Sequence, residues 1–332
     1  MKKTLQLILM FSYFGTYLSA LNFDKIVQSC ENKNYKLCSA LGTLYFLGIE
    51  VEKNTTKSIV YNMIACRGDI KYCKLFADIL VKTKVFKSSN KKLLDYSKLA
   101  CDLNDPNSCY FIGNYFLHDK NATNDKLGMN FYKKSCKLGH VKGCYETGMK
   151  YYSEIVERKD YINVHRYLKK SCDGNFSSAC FNLGVMHEKG LGIDKNLTNA
   201  KMYYNKACDM ENMPACFNLA LSYEKGVKTD YTKMRKLLEK TCKSKNSLGC
   251  YDLANMYLFG KGVAIDYDKA RELYEKSCTA KESNGCNNMG YIYACGLGVD
   301  KNYIKGKKYY EESCKMGNKL GCNNLDYKDI CN

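Results

Sequence analysis

The sequence predicts an all-α fold: an αα-hairpin solenoid, built from a repeated helix pair and cross-linked by disulfides. Eighteen of the twenty cysteines recur in pairs of nearly constant spacing, and other residue types recur in phase with them. The chain of 332 residues has only two prolines, so long segments lack the residue that breaks helices. With 45% hydrophobic and 26% charged residues, the composition is that of a folded protein and excludes global disorder.

Residues 1–20 have the pattern of a secretory signal peptide. Lys2 and Lys3 precede an apolar run from Leu5 to Leu18, and the small residues Ser19 and Ala20 follow it. The run is shorter than the roughly 20 residues that cross a bilayer, and no later segment is apolar enough to do so. We therefore expect a bacterial protein that is secreted or periplasmic and does not span the membrane.

The cysteines define the repeat. Eight pairs are spaced by eight residues and one by seven, and successive pairs begin 34 to 36 residues apart. A fixed period of this length indicates a repeat array, so residues 21–332 are expected to form a single solenoid of about eight repeats. The pairs are Cys30/Cys38, Cys66/Cys73, Cys101/Cys109, Cys136/Cys144, Cys172/Cys180, Cys208/Cys216, Cys242/Cys250, Cys278/Cys286 and Cys314/Cys322, with Cys295 and Cys331 left over.

Each repeat reads as helix A, a turn and helix B. A small residue stands four positions after the second cysteine and, in most repeats, an aromatic residue seven positions after it, which places both on one face of a helix. A second amphipathic stretch, with aromatic residues four or five positions before the next pair, forms helix B. We expect eight A–B pairs over residues 30–322 in a right-handed superhelix. A B-like helix should precede them at 23–29 and a cap helix follow at 322–330, where Asp326 and Asp329 replace the small and aromatic residues.

This residue set resembles the Sel1-like repeat, a relative of the tetratricopeptide repeat. The stretch CFNLGVMHEKGLGIDKN from Cys180 to Asn196, with AKMYYNKAC from Ala200 to Cys208, carries the resemblance. The added cysteine pairs resemble the secreted Helicobacter cysteine-rich proteins, and the match extends over residues 30–332. Repeats two to four, residues 73–172, depart from the pattern because they lack the Gly-x-Gly turn.

Disulfides explain the cysteine pairs better than metal does. The chain has four histidines and no Cys-x-x-Cys motif, so zinc ligands at suitable spacing are missing and we expect no metal and no cofactor. In an exported chain, sequential disulfides are favoured, and the family resemblance implies the same pairing. For Cys295 and Cys331 two alternatives stay open, a tenth disulfide that holds the C-terminal segment or two free thiols.

The family resemblance also implies β-lactamase activity or the binding of penicillin-like compounds. Ser-x-x-Lys occurs at Ser88/Lys91, Ser89/Lys92 and Ser222/Lys225, but Lys-Thr-Gly does not occur, and clustered histidines for a zinc enzyme are missing. His187 occupies an aromatic position of the repeat and is expected to pack there. The residues that would carry hydrolysis are therefore unknown, and the enzyme reading is the weaker alternative.

A binding scaffold is the favoured function. Stacked helix pairs form a long concave surface that suits peptides or partner proteins and needs no catalytic group. The net charge is +18, or +16 without Lys2 and Lys3, which favours acidic partners. An even spread of solvated lysines is the alternative interpretation of that charge. Nucleic acid is a poor candidate for an exported protein.

One residue per repeat is a candidate for ligand binding. Two positions after the second cysteine, an amide or carboxylate side chain recurs opposite the expected packed face, so we expect it to be exposed. An amide donates to and accepts from a peptide backbone at once. The alternative is a family habit near the helix start, where Asn assists capping. The residues are Asn182, Asn218, Asp252, Asn288 and Asn324.

Four sequons make a further hypothesis, N-glycosylation. Each Asn-x-Ser/Thr has an acidic residue two positions before it, and all four are expected on exposed loops. The alternative is that Asn recurs because it suits turns and helix starts. The sequons begin at Asn54, Asn121, Asn175 and Asn196.

Overall fold

The computed structural model describes residues 23–73, 75–76, 79, 91–102, 104–117, 122–153, 160–224, 229–325 and 331. These residues form seventeen α-helices and one short 3-10 helix, Ile70–Tyr72, and contain no strand. They divide into two compact units, an N-terminal unit that ends at Ser171 and a C-terminal unit that begins at Cys172. The all-α prediction is confirmed, while the single continuous solenoid over residues 21–332 stays a prediction.

Eight helices begin in the N-terminal unit, the last of them crossing the unit boundary. They are α1 (Phe23–Glu31), α2 (Tyr35–Leu47), α3 (Thr55–Gly68), α4 (Lys91–Asp102), α5 (Pro106–Leu117), α6 (Ala122–Lys137), α7 (Val141–Ser153) and α8 (Tyr161–Asp173).

Nine helices follow in the C-terminal unit. They are α9 (Ser177–Lys189), α10 (Leu197–Asp209), α11 (Met213–Glu224), α12 (Tyr231–Lys243), α13 (Ser247–Phe259), α14 (Tyr267–Thr279), α15 (Ser283–Cys295), α16 (Tyr303–Lys315) and α17 (Lys319–Asn323).

The helices alternate as A and B as the sequence predicts. Helix α1 is the expected B-like helix, and α2/α3 form the first A–B pair. Helix A of the second repeat is described only at Cys73, Leu75, Phe76 and Ile79, all helical. Helix α17 begins the expected cap, whereas residues 326–330, with Asp326 and Asp329, lie outside the described residues. No described helix is both long and apolar enough to cross a lipid bilayer.

Local chemistry sets the helix ends. Asn or Asp caps most B helices, as at Asp266, whose carboxylate accepts from the Lys269 amide at 2.9 Å. Several A helices end in a left-handed glycine, such as Gly260 at φ 66°, whose amide donates to Met256 O. Glycine adopts this conformation without the steric cost that a Cβ brings, so it stops the helix and starts the turn.

The recurring small residue lies beneath a buried tyrosine of helix B. A Cβ on Gly184 would lie 2.5 Å from the ring of Tyr204, and one on Gly290 would lie 2.6 Å from Tyr310. Beside this contact the aromatic residue of helix A stacks on one of helix B; Tyr293 and Tyr309, for example, have ring centroids 5.8 Å apart. Close approach of the two helices therefore depends on the missing side chain, as the sequence pattern predicts.

All twenty cysteines are in disulfides, and none is free. The nine pairs of the repeat are joined sequentially, each linking the end of a B helix to the start of the next A helix, with Cα–Cα distances of 4.4 to 4.8 Å. Cys295 bonds to Cys331 with a Cα–Cα distance of 5.4 Å. Each short bridge closes a turn and restricts the unfolded chain, which contributes about 2.5 kcal/mol per bridge on the chain-entropy estimate.

Neighbouring repeats are joined by two further contacts. The serine before a first cysteine donates to the first carbonyl of the preceding A helix, as from Ser277 Oγ to Ser247 O at 2.9 Å and from Ser313 Oγ to Ser283 O at 2.8 Å. The first tyrosine of a B helix packs on the second glycine of the next turn. A Cβ on Gly298 would lie 2.5 Å from the Cβ of Tyr267.

Candidate functional site

The candidate ligand residues form one row on successive A helices of the C-terminal unit, here called the amide row. It has one member per repeat, placed by the same offset from the second cysteine. The members are Asn182 in α9, Asn218 in α11, Asp252 in α13, Asn288 in α15 and Asn324 at the C-cap of α17.

The expectation that the row is exposed is wrong, because all five side chains are partly buried. The expectation treated each A helix as packed on one face alone. At Asn218 and Asn288 the buried tyrosine of the preceding B helix reaches the row position, and polar residues of neighbouring A helices flank the row at Asn288 and Asn324. A residue opposite the cysteine is therefore only half accessible.

Two of the row amides, those of Asn218 and Asn288, bind buried tyrosine hydroxyls. The Tyr204 ring is 1% exposed, and its hydroxyl donates to Glu188 Oε2 at 2.7 Å and accepts from the Asn218 amide. In the same way Tyr274 donates to Asn255 and accepts from Asn288. A buried hydroxyl without partners is costly, so these row residues stabilise the junction between repeats.

Lateral hydrogen bonds join polar residues on consecutive A helices. Asn324 Nδ2 donates to Asn287 Oδ1 at 3.0 Å, and Asn288 Nδ2 lies 3.5 Å from Asn255 Oδ1. Helix capping, the alternative role for the row, is carried out by other residues in α13, where the Asn246 side chain accepts from the Gly249 amide at 2.9 Å. The row is therefore a polar seam between repeats with one partly accessible side.

Asp252 gives the row its one carboxylate. Burial raises the pKa of Asp252 to about 6, and the nearby Glu224 and Glu282 raise it further. A hydrogen bond from Asn255 and the charge of Lys261 act in the opposite direction. Near neutral pH the carboxylate of Asp252 is therefore mostly ionised. The seam then carries a negative charge at its middle repeat, and burial makes that charge unfavourable.

Sequence reasoning did not identify the acceptors of the buried tyrosines. Tyr132 donates to Asn114 Oδ1 at 2.9 Å, and Tyr274 makes the same contact with Asn255. Tyr204 donates instead to Glu188, which stands three positions later in its repeat than Asn114 or Asn255 does in theirs. A polar residue late in an A helix, followed in the next B helix by a tyrosine four positions before a first cysteine, is the signal that would have found them.

The candidate catalytic residues do not form a described cluster. Ser222 Oγ donates to Leu219 O at 2.6 Å within its own helix, and its motif partner Lys225 lies outside the described residues, as do Ser88 and Ser89. For Lys91 and Lys92 the backbone alone is described, at the start of α4. His187 packs as expected, with its ring stacked on Tyr203 at 5.3 Å.

Within the part of the chain that the structure describes, one group of possible metal-ligand atoms lies close together. The ligand atoms of Cys278, Cys286 and Glu312 are within 4.8 Å of one another. Because the two sulfurs are bonded to each other, they offer no thiolate to a metal ion.

Three of the four sequons lie on the described part of the chain and are exposed. Asn54 and Asn196 are helix N-caps, each accepting a backbone amide at 2.9 Å, and Asn175 has a φ of 64° in the Cys172–Cys180 turn. Asn121 lies outside the described residues. Capping and turn geometry account for these asparagines, and glycosylation stays a prediction that the intact mass of the exported protein would test.

The Sel1 repeat family model matches residues 36–61, 106–140, 177–212, 214–246, 247–281 and 283–318, more than half of the chain. The chain belongs to the Sel1 repeat family. Proteins of this class are repeat scaffolds for interaction with other proteins. No curated protein matches the chain.

Solved structures give the same fold. The protective antigen c5321 of uropathogenic Escherichia coli, described as displaying an SLR fold, has a TM-score of 0.79 and 23% identity over 92% of this chain. The match covers 66% of that protein, so this chain spans just under two thirds of its length. A Sel1 repeat protein from Oxalobacter formigenes has a TM-score of 0.59 and 21% identity, covering 72% of this chain and 96% of that one.

The chain is also similar to the Helicobacter pylori cysteine rich protein B. The identity is 34%, over 40% of this chain and 96% of that chain, and the TM-score is 0.34. Independently of this similarity, the disulfides of the present chain indicate an oxidising location, periplasmic or extracellular.

Proposed function

We propose that the protein is an exported Sel1 repeat scaffold that binds an extended peptide segment of a partner protein along the amide row. The observation that carries the proposal is the row itself, a set of partly accessible amide groups repeated once per helix pair across the C-terminal unit. An extended peptide presents a donor and an acceptor at each residue, and amide side chains bind both. Residues 1–20, outside the described part, are proposed to be the export signal.

Two features suit the row to a binding role. The amides of Asn218, Asn288 and Asn324 are held by neighbouring repeats, so little side-chain freedom is lost when a ligand binds. The carboxylate of Asp252 is destabilised by burial and would gain from a donor that a ligand brings. Elsewhere the excess of lysine, within a net charge of +18, supports acidic partners, whose binding would weaken as salt is added.

Selection of peptides tests the proposal. Peptides selected on the oxidised mature protein would be measured against the triple variant Asn182→Ala, Asn218→Ala and Asn288→Ala. Three exposed, uncharged B-helix residues of the same unit provide the control, in the triple variant Met202→Ala, Asn205→Ala and Thr232→Ala, which leaves the net charge as it is. We expect the row variant to bind at least about tenfold more weakly, a loss of about 1.4 kcal/mol, and the control to bind unchanged.

Equal affinities of the row variant and the control would contradict the proposal. Circular dichroism of both variants separates lost binding from lost folding, because Asn218 and Asn288 also serve Tyr204 and Tyr274. The alternative expectation, weak β-lactam hydrolysis, is tested on the same sample with a chromogenic β-lactam. Turnover that disappears on denaturation would favour that alternative.

A further inference from the structure

A cleft opens on the B-helix side of the C-terminal unit, away from the amide row. It lies between α12 and α14 and has a volume of about 780 Å³. Leu253, Leu273 and the Cys242–Cys250 disulfide line it, together with charged residues that include Glu272 and Lys276. A cleft of this size admits a small molecule, and this one brings it to a disulfide.

Solvent access distinguishes this disulfide from seven of the eight other hairpin bridges of the repeat. Cys242 is partly exposed, whereas Cys250 is 3% exposed. In seven other bridges both cysteines are 6% exposed or less. These are Cys30–Cys38, Cys66–Cys73, Cys101–Cys109, Cys136–Cys144, Cys172–Cys180, Cys208–Cys216 and Cys278–Cys286.

The neighbouring repeats show what covers such a bridge. In the preceding repeat Lys240 reaches back, with its Nζ 3.2 Å from Cys208 O and 3.8 Å from Cys208 Sγ. In the following repeat Glu312 occupies the equivalent position, with its carboxylate within 4.8 Å of both sulfurs of Cys278–Cys286.

At Cys242 the equivalent covering residue is Lys276, and it is engaged elsewhere. Its Nζ pairs with Glu272 one turn earlier, at 2.6 Å. The preceding repeat has Lys236 in place of Glu272, and a lysine four residues before Lys240 repels it instead of pairing with it. The following repeat has Lys308 there, and its covering residue Glu312 lies 4.0 Å from Lys281 in the Cys278–Cys286 turn. One local ion pair thus accounts for the uncovered sulfur.

We propose that Cys242 is a thiol-modification site, at which a low-molecular-weight thiol exchanges with the Cys242–Cys250 disulfide. The thiolate of the small thiol attacks Cys242 Sγ, the accessible sulfur, and a mixed disulfide forms on Cys242. The Cys242–Cys250 bond breaks and its electron pair leaves on Cys250 Sγ as a thiolate. The small thiol is oxidised and Cys250 is reduced, and return attack by Cys250 reverses the step.

The leaving group favours this direction of attack. Cys250 lies in the first turn of α13 (Ser247–Phe259), where the positive end of the helix dipole stabilises a thiolate. A thiolate that is stabilised in this way leaves faster. The second cysteines of α2, α5, α7, α9, α11, α15 and α17 share this placement, so access to the first cysteine decides which bridge reacts.

The test is a disulfide map of the folded, oxidised protein after brief exposure to 2-mercaptoethanol. Free thiols are alkylated, and peptides are read by mass spectrometry. We expect mercaptoethanol on Cys242 and the alkyl group on Cys250, appearing at least about tenfold faster than opening of Cys208–Cys216 or Cys278–Cys286. The bridges Cys314–Cys322 and Cys295–Cys331 are also partly exposed, and the map reads them separately.

A matched pair of variants tests the cleft itself. Ala280→Phe adds a ring at an exposed position of the lining and should slow exchange at Cys242 several-fold. Met316→Phe places a ring at the equivalent position of the next repeat and should leave that rate unchanged. Opening of Cys208–Cys216 as fast as Cys242–Cys250, or attachment of the small thiol to Cys250 instead of Cys242, would overturn the proposal.

Discussion

The turn between helices A and B differs between the two units, although its backbone conformation is shared. In the C-terminal unit Gly296 and Gly298 both have positive φ, 71° and 67°. In the first repeat of the N-terminal unit Gly48 is followed by Glu50, which has a φ of 59°. A glutamate therefore adopts the second left-handed position. What requires glycine in the C-terminal unit is the tyrosine of the preceding repeat, since Tyr267 packs where a Cβ on Gly298 would stand.

The largest expected effect comes from Gly298→Ala. The new Cβ would lie 2.5 Å from Tyr267 Cβ. In addition, the alanine at position 298 would have to adopt the left-handed φ that glycine has there. We expect the free energy of unfolding to fall by about 3 kcal/mol, from the sum of backbone strain and overpacking. Urea unfolding with the disulfides intact measures it.

Gly317→Ala is the matched control for this prediction. Gly317 has a φ of 86° and open space around its missing Cβ, so this change isolates the backbone cost, about 1 kcal/mol. If both variants lost the same free energy of unfolding, the contact between Tyr267 and residue 298 would not explain why glycine occupies position 298.

Two partly buried groups, one in each unit, should respond to pH with opposite sign. Asp252 in the C-terminal unit has a pKa of about 6, raised by burial above its unfolded value near 4. The folded state therefore binds the proton more tightly, and stability is lost as pH rises through this range. Asp252→Asn should remove the dependence and raise the free energy of unfolding at pH 7.5 by about 2 kcal/mol, with little change at pH 4. Thermal unfolding at both pH values tests this, and a variant that is less stable than the parent at pH 7.5 would contradict it.

His140 in the N-terminal unit should show the opposite sign. Burial lowers its pKa to about 4; Lys142 lowers it further and Asp105 raises it. Its Nδ1 accepts the Gly143 amide at 2.9 Å, which requires the neutral ring. Stability is therefore lost as pH falls from about 6.5 to 4. In His140→Asn, which keeps a capping acceptor, the drop in unfolding free energy between pH 7 and pH 4.5 should shrink by about 1 kcal/mol. An unchanged slope would assign the acid response to other groups.

The smallest effect is expected for Glu50→Gly in the first repeat. Relief of the left-handed strain is partly offset by the greater freedom of glycine in the unfolded chain, so we expect a gain of about 0.5 kcal/mol. A loss of stability, measured by urea unfolding, would show that the Glu50 side chain makes a favourable interaction in the folded state.

The helix pairs, the packed glycine beneath a B helix and the disulfide framework were predictable because each depends on residues close in sequence. The burial of the amide row was not. Whether Asn218 is exposed depends on Tyr204 of the preceding B helix, whose reach no single-helix projection includes. The alternative of helix capping failed for the same kind of reason, since Asn246 already occupies the capping position of α13.

The sequence by itself therefore determined the repeat, its two helices and its cysteine pairing, because periodic residues report local geometry once per turn or once per repeat. The tertiary structure alone decided which polar groups meet across repeats. Lys240 lies on a sulfur of the previous repeat, while Lys276, at the same position one repeat later, pairs with Glu272 instead. Which contact each lysine makes depends on residues about one repeat away in sequence but only a few ångströms away in space. All the charges and packed side chains around the lysine together determine which contact has the lowest free energy.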